Sequence, residues 1–294
     1  MTDLELILQT IINSLIFSSF NALFAVGLVL IFGIMQVVNF AHGAIYMVGA
    51  FSTWYLYSEN GVPFFVAIIL STLLCAALGL FMERVLFRPM RGNLFGGLIV
   101  SVGMLFILEV LSVYLFGQGL MKNITPYFRE SWHVFGIESV TVAHSRLLVL
   151  AVATFILGGF WLFMTRTRLG WAMKACAQNP EAAALQGISI GKISMLAMVI
   201  SAAMAGAGGA VMAPLVRITP HMGSPVLITA FIIMIVGGMG SIEGALIAAF
   251  AYSFFHTFVT TYIGGEIATI LGLVLMLMFL IVKPTGLMGE RKSV

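Results

Sequence analysis

The chain has 294 residues, of which 61% are hydrophobic and only 9% charged, whereas soluble domains carry about 25% charged residues. This composition excludes a soluble globular protein and indicates a helical bundle in a lipid bilayer, where apolar side chains also cover the outer surface. The net charge of +3 comes from Lys and Arg scattered between apolar segments, so it predicts membrane topology and no nucleic-acid partner.

About 20 mostly apolar residues are needed to cross a bilayer, and on this basis we predict an all-α polytopic membrane protein with 8–9 transmembrane helices. The candidate spans are 6–34, 43–58, 62–82, 94–117, 147–165, 193–212, 225–240, 243–262 and 266–282. The second and seventh are short and interrupted by glycine, which predicts broken or re-entrant segments buried in protein. The whole chain, 1–294, is expected to form a single transmembrane domain.

The positions of Lys and Arg in short loops predict orientation. Ten of the fourteen fall after the third span, between the fifth and sixth spans, or in the C-terminal tail. These are Arg84, Arg88, Arg91, Arg166, Arg168, Lys174, Lys192, Lys283, Arg291 and Lys292. We therefore expect this side to face the cytoplasm, with the N-terminus outside and the C-terminus inside.

Two loops are long enough to have a function of their own. The external loop at about 118–146 either caps the pathway, contacts an external partner, or is a solvated connector with Tyr127 and Trp132 at headgroup level. The internal loop contains a short predicted helix at 179–187, with Asn179 as N-cap, Pro180 at the first position and Gly187 at its end. A short capped helix that projects into the cytoplasm is typical of a docking element.

A weak internal repeat relates FAHGAIYMVGAF at 40–51 to IEGALIAAFAY at 242–252, with Gly43 and Gly244 in equivalent positions 201 residues apart. Both copies follow a glycine-containing apolar segment. An internal duplication is therefore one possible interpretation and coincidence is the other. Duplicated transporters often place such breaks near the transported substrate.

Polar residues within the membrane are costly, so their positions are informative. Candidates for the translocation pathway lie in the first span and at the two glycine-rich breaks: Asn21, Asn39, His42, Gly43, Ser241, Glu243 and Gly244. The alternative interpretation of such residues is an interhelical hydrogen bond of about 1 kcal/mol, which we favour for Asn13 and His256. Glu109, within the fourth span, is expected to be neutral, paired or in contact with water.

The sequence contains no phosphate-binding loop, because GISIGK at 187–192 has three residues between its glycines where four are required. The five histidines have neither metal-ligand spacing nor a neighbouring cluster of cysteines or carboxylates. We therefore expect no enzymatic activity and no cofactor bound by this chain.

Three motifs in order carry a family resemblance: GLVLIFGIMQVVNFAHGAIYMVGAF at 27–51, GWAMKACAQNPEAAALQGI at 170–188 and GGMGSIEGALIAAF at 237–250. Together they resemble the permease subunits of branched-chain amino acid ABC importers, the H-type subunit in particular. The resemblance implies a bacterial or archaeal inner-membrane protein. Its implied partners are a second homologous permease, two ATP-binding cassette subunits that bind ATP and Mg, and an extracytoplasmic substrate-binding protein.

The predicted cytoplasmic helix also resembles the docking motif of importer permeases, in which Glu-Ala-Ala is followed after three residues by Gly. Here these residues are Glu181, Ala182, Ala183 and Gly187. The general pattern continues with Ile-x-Leu-Pro about ten residues later, but this chain has Ala-Met-Val at 197–199. The geometry of other importers therefore does not transfer automatically.

Other functions remain open at this point. The same family resemblance allows transport of urea, short amides or other amino acids. A different class, an ion-coupled secondary transporter, would use Glu109 and Glu243 as coupling groups and would leave the 179–187 helix without a role. A membrane-bound enzyme is the third class and lacks any candidate nucleophile or metal site.

Overall fold

The structure is a computed structural model that describes residues 3–117, 121–125, 127, 130–133 and 139–289. These residues contain eleven α-helices: α1 Asp3–Met35, α2 Ala41–Trp54, α3 Phe64–Phe81, α4 Leu94–Phe116, α5 His144–Arg166, α6 Arg168–Gln178, α7 Pro180–Leu185, α8 Ile190–Met212, α9 Gly223–Gly237, α10 Ile242–Tyr262 and α11 Gly265–Val282. One small antiparallel sheet joins β1, Ser131–His133, to β2, Thr141–Ala143. The predicted helical membrane architecture is confirmed.

Seven helices of the described chain are long and apolar enough to span a membrane: α1, α3 with its continuation to Met90, α4, α5, α8, α10 and α11. Two further helices are shorter. Helix α9 has 15 residues, and α2 has 14 and continues through a π-helical turn at Tyr55–Glu59. These two correspond to the seventh and second predicted spans, so the prediction of short elements at those places is confirmed.

Helix α1 forms the centre of the bundle and packs against α5, α8, α9 and α10. Almost every residue in its second half is buried. Helices α3, α4 and α11 lie outside it and expose large apolar side chains such as Leu73, Phe106 and Ile270. An apolar exterior of this kind is stable in hydrocarbon and not in water.

Two helical hairpins, α1–α2 and α9–α10, pack on each other reciprocally, with α1 against α10 and α2 against α9. We call their turns the first break, residues 36–40, and the second break, residues 238–241. The breaks adjoin each other, since a Cβ atom on Gly33 would lie 3.4 Å from Gly240 Cα. Both hairpins therefore point the same way, in the manner of a pseudo-two-fold pair. The duplication of the sequence itself stays a prediction.

Glycine allows the backbones of these hairpins to touch. A Cβ atom on Gly43 would lie 2.7 Å from Gly223 O across the α2–α9 contact. A Cβ atom on Gly237 would lie 2.6 Å from Gly244 O across the α9–α10 contact. Such close approach replaces the hydrophobic driving force that helices lack in lipid.

The connections that carry most Lys and Arg gather at one end of the bundle. Arg91, after α3, donates a hydrogen bond to Gly191 O at the start of α8 (3.2 Å). The C-terminal segment adjoins the second break, where Leu287 N donates to Val236 O (2.8 Å). Ala177 of α6 lies beside Gly33. We call this end the positive face and the other end the opposite face.

The loop predicted at 118–146 lies partly outside the described residues. Its described part packs onto the opposite face. The ring of Tyr127 stacks on Phe64, with centroids 5.9 Å apart, and the backbone of Lys122 pairs with that of Ile218 in the α8–α9 connection. Strand β2 leads directly into α5, which begins at His144, three residues before the predicted span.

Candidate functional site

Asn39 holds the first break in place. Its Oδ1 atom accepts a hydrogen bond from Ala41 N (3.1 Å), and its backbone oxygen accepts one from His42 N (3.2 Å). The side-chain amide also contacts Met198 Sδ on α8 at 3.9 Å. Asn39 is fully buried, and these contacts fix the turn before α2 and connect it to α8.

His42 ties three helices together in the core. Its Nε2 atom lies 3.1 Å from Phe24 O on α1, and because a carbonyl only accepts, Nε2 carries the proton. Its Nδ1 atom lies 3.4 Å from Ser201 Oγ on α8, and Ser201 donates to Gly27 O at 2.6 Å. These contacts join α1, α2 and α8, and the hydrogen bonds from His42 and Ser201 satisfy the buried carbonyl groups of Phe24 and Gly27.

The remaining predicted pathway residues divide between packing and surface positions. Asn21 Nδ2 donates to Ser253 Oγ (2.9 Å) and so joins α1 to α10, while Gly43 and Gly244 occupy the backbone contacts described above. Ser241 Oγ accepts from Gly244 N (3.1 Å) and caps α10. Glu243 alone of the seven is exposed. The role of these residues in translocation stays a prediction.

Glu243 lies in a cleft at the positive face between α1, α5, α6 and α10. The cleft is mainly apolar, and Trp161 on α5 is one of its exposed members. Lys174 of α6 also lines it, so groups of opposite charge flank an apolar surface beside the second break. The predicted break residue Glu243 is therefore accessible from outside the bundle.

The segment predicted as a docking helix is helical from Pro180 to Leu185. Asn179 Oδ1 accepts a hydrogen bond from Ala182 N (3.0 Å), which caps the first turn. Gly187 has a φ of +80° and ends the helix, with Gly187 N bonded to Ala184 O (2.9 Å). Both ends of this short helix are thus fixed by local hydrogen bonds.

Helix α7 presents most of its surface outward. Ala183 packs inward and is buried, whereas Glu181 and Ala182 are exposed. Leu185 is 89% exposed at the end of the helix. The capped helix therefore holds one large apolar side chain outward.

Helix α6 precedes α7 and was not predicted. Its sequence signal is Thr167, whose Oγ1 accepts from Gly170 N (3.0 Å) and caps the helix. Cys176 lies on its buried side, and this burial raises the pKa of the Cys176 thiol. The other cysteine of the chain, Cys75, is also a buried free thiol.

A buried carboxylate near the positive face was also missed. Glu83 lies in a π-helical turn, Met82–Phe87, that continues α3, and its side chain forms an ion pair with Arg91. The same guanidinium bonds Gly191 O, so the end of α3 is joined to the start of α8. The only sequence signal is an acidic residue directly after an apolar span, which requires a partner.

Glu109 in α4 is paired, one of the three states expected for it. Its Oε2 atom lies 3.1 Å from His221 Nδ1 in the α8–α9 connection. This contact lies toward the opposite face and joins α4 to the segment just before α9. Among the described residues, no group of three or more His, Cys, Asp or Glu side chains is arranged to hold a metal ion.

The bundle defines a polytopic helical membrane protein, and a solved structure shares this fold. The structure of PsaBC from Streptococcus pneumoniae in complex with Fab aligns with a TM-score of 0.51 and 14% identity, covering 94% of this chain and 92% of that one. At this identity the likeness concerns the fold alone.

Sequence relatives identify the family. Residues 10–282 match the family described as branched-chain amino acid transport system / permease component, and the chain belongs to it. The permease protein BraD of Pseudomonas aeruginosa, from a high-affinity branched-chain amino acid transport system, is 30% identical over 96% of both chains. The corresponding LivH protein of Escherichia coli K12 is 29% identical, also over 96% of both.

Proposed function

We propose that this chain is the permease subunit of an ATP-driven importer of branched-chain or similarly small amino acids. The single observation that carries the proposal is the match of 10–282 to a permease family, since it covers the bundle from the first turns of α1 to the end of α11. BraD and LivH, the relatives described above, are both named for branched-chain amino acid transport.

The importer would lie in the inner membrane of a bacterium or archaeon, with the positive face in the cytoplasm. Support comes from the excess of Lys and Arg in the connections that meet at that face, because positively charged loops are retained on the cytoplasmic side. Helix α1 runs toward the positive face, so its start, and the N-terminus, would lie outside.

Helix α7 would dock into a groove of an ATP-binding cassette subunit. Its small alanines allow a partner to approach closely, and the exposed Leu185 would fill an apolar part of the groove. The acidic Glu181 stabilises the start of the helix through the helix dipole. A rigid, capped helix loses little conformational entropy on docking and transmits a push along its axis.

Movement of α7 would pass directly into α8. The contact between Arg91 and Gly191 then connects the start of α8 to Glu83 at the end of α3, and α3 packs along α8. Because α3 packs along α8 and Arg91 contacts both Glu83 and Gly191 O, α3 and α8 would move as one body.

The remaining parts of the importer would be a second homologous permease, two ATPase subunits and an extracytoplasmic binding protein. ATP and Mg would bind to the ATPase subunits, and this chain would perform no chemical step and hold no cofactor. The binding protein would set most of the substrate preference.

The proposal is tested by reconstituting the complete importer in proteoliposomes and measuring uptake of labelled leucine. We expect uptake that requires ATP, both ATPase subunits and the binding protein. Uptake by this chain alone, driven by an ion gradient, would instead identify a secondary transporter. Uptake of urea or amides in preference to leucine would keep the class and change the substrate.

The docking step is tested at Leu185. The variant Leu185→Asp should lose co-purification of the ATPase subunits and reduce uptake at least tenfold, because a buried carboxylate would replace an apolar contact. Leu185→Met keeps the apolar contact and serves as the matched control. Equal uptake by the two variants would contradict docking through this helix.

A further inference from the structure

A second cleft opens on the opposite face, between the outer parts of α1 and α5 and the end of α8. Seven of its nine lining residues are apolar, among them Phe20, Val149 and Met212. Its cavity volume is about 130 Å³. A cavity of about 150 Å³ lined by similar residues binds benzene, so this one has room for an aliphatic group of about four carbons.

A single cation lies among the residues that line this cleft. Arg146 Nη1 donates a hydrogen bond to Asn13 Oδ1 (2.8 Å), which holds the side chain at the cleft, and Gln9 Nε2 donates to the same oxygen (3.3 Å). Within the described ranges no carboxylate lies at salt-bridge distance from Arg146. The guanidinium has further N–H donors in a planar fork, the arrangement that carboxylates bind best.

The third chemical feature is the C-terminal end of α8. The helix ends at Met212, and Met212, Leu215 and Val216 all line the cleft. The carbonyl end of a helix carries a partial negative charge and favours a cation. The cleft therefore combines a positive group, a negative helix end and an apolar cavity of limited size.

We propose that this cleft binds a small aliphatic α-amino acid in its zwitterionic form. The carboxylate would bind Arg146, the ammonium group would lie near the end of α8, and the side chain would fill the space between Phe20, Val149 and Met212. The inference rests on the proposed function and deepens it, since it assigns a substrate site to the permease itself. A phospholipid offers a phosphate to the same arginine, but its acyl chains far exceed the cavity.

The experiment uses the assembled importer in lipid nanodiscs without its binding protein. Because both native cysteines of this chain are buried, a cysteine introduced at the exposed Phe17, which lines the cleft, is its accessible thiol, and its modification by a methanethiosulfonate reagent is followed on this chain after the subunits are separated. L-leucine should slow modification of Phe17→Cys at least threefold at saturation. Isoamylamine, which lacks the carboxylate, should not protect, and adding Arg146→Gln should abolish protection by leucine.

Leu15→Cys is the matched control, because Leu15 is 43% exposed and Phe17 47%, on the same helix, but Leu15 does not line the cleft. Leucine should leave its modification rate unchanged. If Phe17→Cys does not assemble, leucine should raise the melting temperature of the unmodified importer and fail to do so with Arg146→Gln.

Absence of protection, or protection that survives Arg146→Gln, overturns the site. A modification rate that changes with the phosphatidylglycerol content of the nanodisc, and not with leucine, overturns the amino-acid site in favour of a lipid site. ATP-driven leucine uptake by the same importer reconstituted in proteoliposomes, supplemented with binding protein, separates failure of the cleft from failure of the proposed function. Uptake without protection overturns the cleft alone, whereas failure of uptake with every branched-chain amino acid overturns the proposed function.

Discussion

The two breaks share a sequence pattern but differ in their surroundings. The first break is enclosed by side chains: Asn39 is fully buried, and Phe40 N donates to Ser101 Oγ on α4 (3.2 Å). The second break consists largely of backbone, with Gly238 and Gly240 at φ values of +108° and +91°. It is followed by the exposed Glu243.

The partners of the breaks explain this difference. Neighbouring helices α4 and α8 supply side chains to the first break. The C-terminal segment instead lies beside the second break, where Leu287 N and Met288 N donate to the last carbonyl groups of α9. Equivalent positions in a repeat can therefore have different physical roles. The first break is a packed junction, whereas the second break leaves the charged Glu243 exposed at the positive face.

The largest effect is expected at the α2–α9 contact beside the first break. Gly43→Leu would force a side chain into the backbone of Gly223 and cost about 3 kcal/mol of unfolding free energy. Gly103→Leu in α4 is the control, because nothing lies within 4 Å of its Cβ position. Thermal unfolding of the purified chain in detergent measures the stability of both variants. Equal melting temperatures for the two would contradict this packing.

Removing the side-chain hydrogen bond to the backbone at each break should lower the unfolding free energy by a smaller amount, which differs between the two breaks. Asn39→Ala leaves the buried Ala41 N–H without its acceptor and should cost about 2 kcal/mol. Ser241→Ala removes a cap that is only partly buried and should cost about 1 kcal/mol. Denaturant unfolding tests this order, and a larger loss for Ser241→Ala would reverse the comparison.

Glu243→Gln should have the smallest effect on stability, within about 0.5 kcal/mol, because the side chain is exposed. Leucine uptake should nevertheless fall several-fold, since Glu243 shares a cleft with Lys174 next to the docking elements. Glu266→Gln is the matched control, because Glu266 is also an exposed acid in the first turn of a helix, α11. Similar uptake by the two variants would show that Glu243 has no special part in transport.

Local patterns made much of the fold predictable. Apolar length identified nine segments including the short α2 and α9, and the residues Asn179 and Pro180 identified α7 because caps act within one turn. The surroundings of polar residues were less predictable. Whether Asn39 is enclosed or Glu243 exposed depends on helices far away in sequence, and the Glu83–Arg91 pair depends on a π-helical turn.

The contact between α1 and α10 has a consequence for synthesis in the membrane. Asn21 on α1 has its partner, Ser253, 232 residues later, so α1 must wait in lipid while most of the chain is made. Ser14 and Ser18 each donate a hydrogen bond to the carbonyl four residues earlier, at 2.7 Å, and so need no partner during that wait. The first helix thus enters the bilayer with these two hydroxyls satisfied, whereas the Asn21 amide gains its partner only near the end of translation.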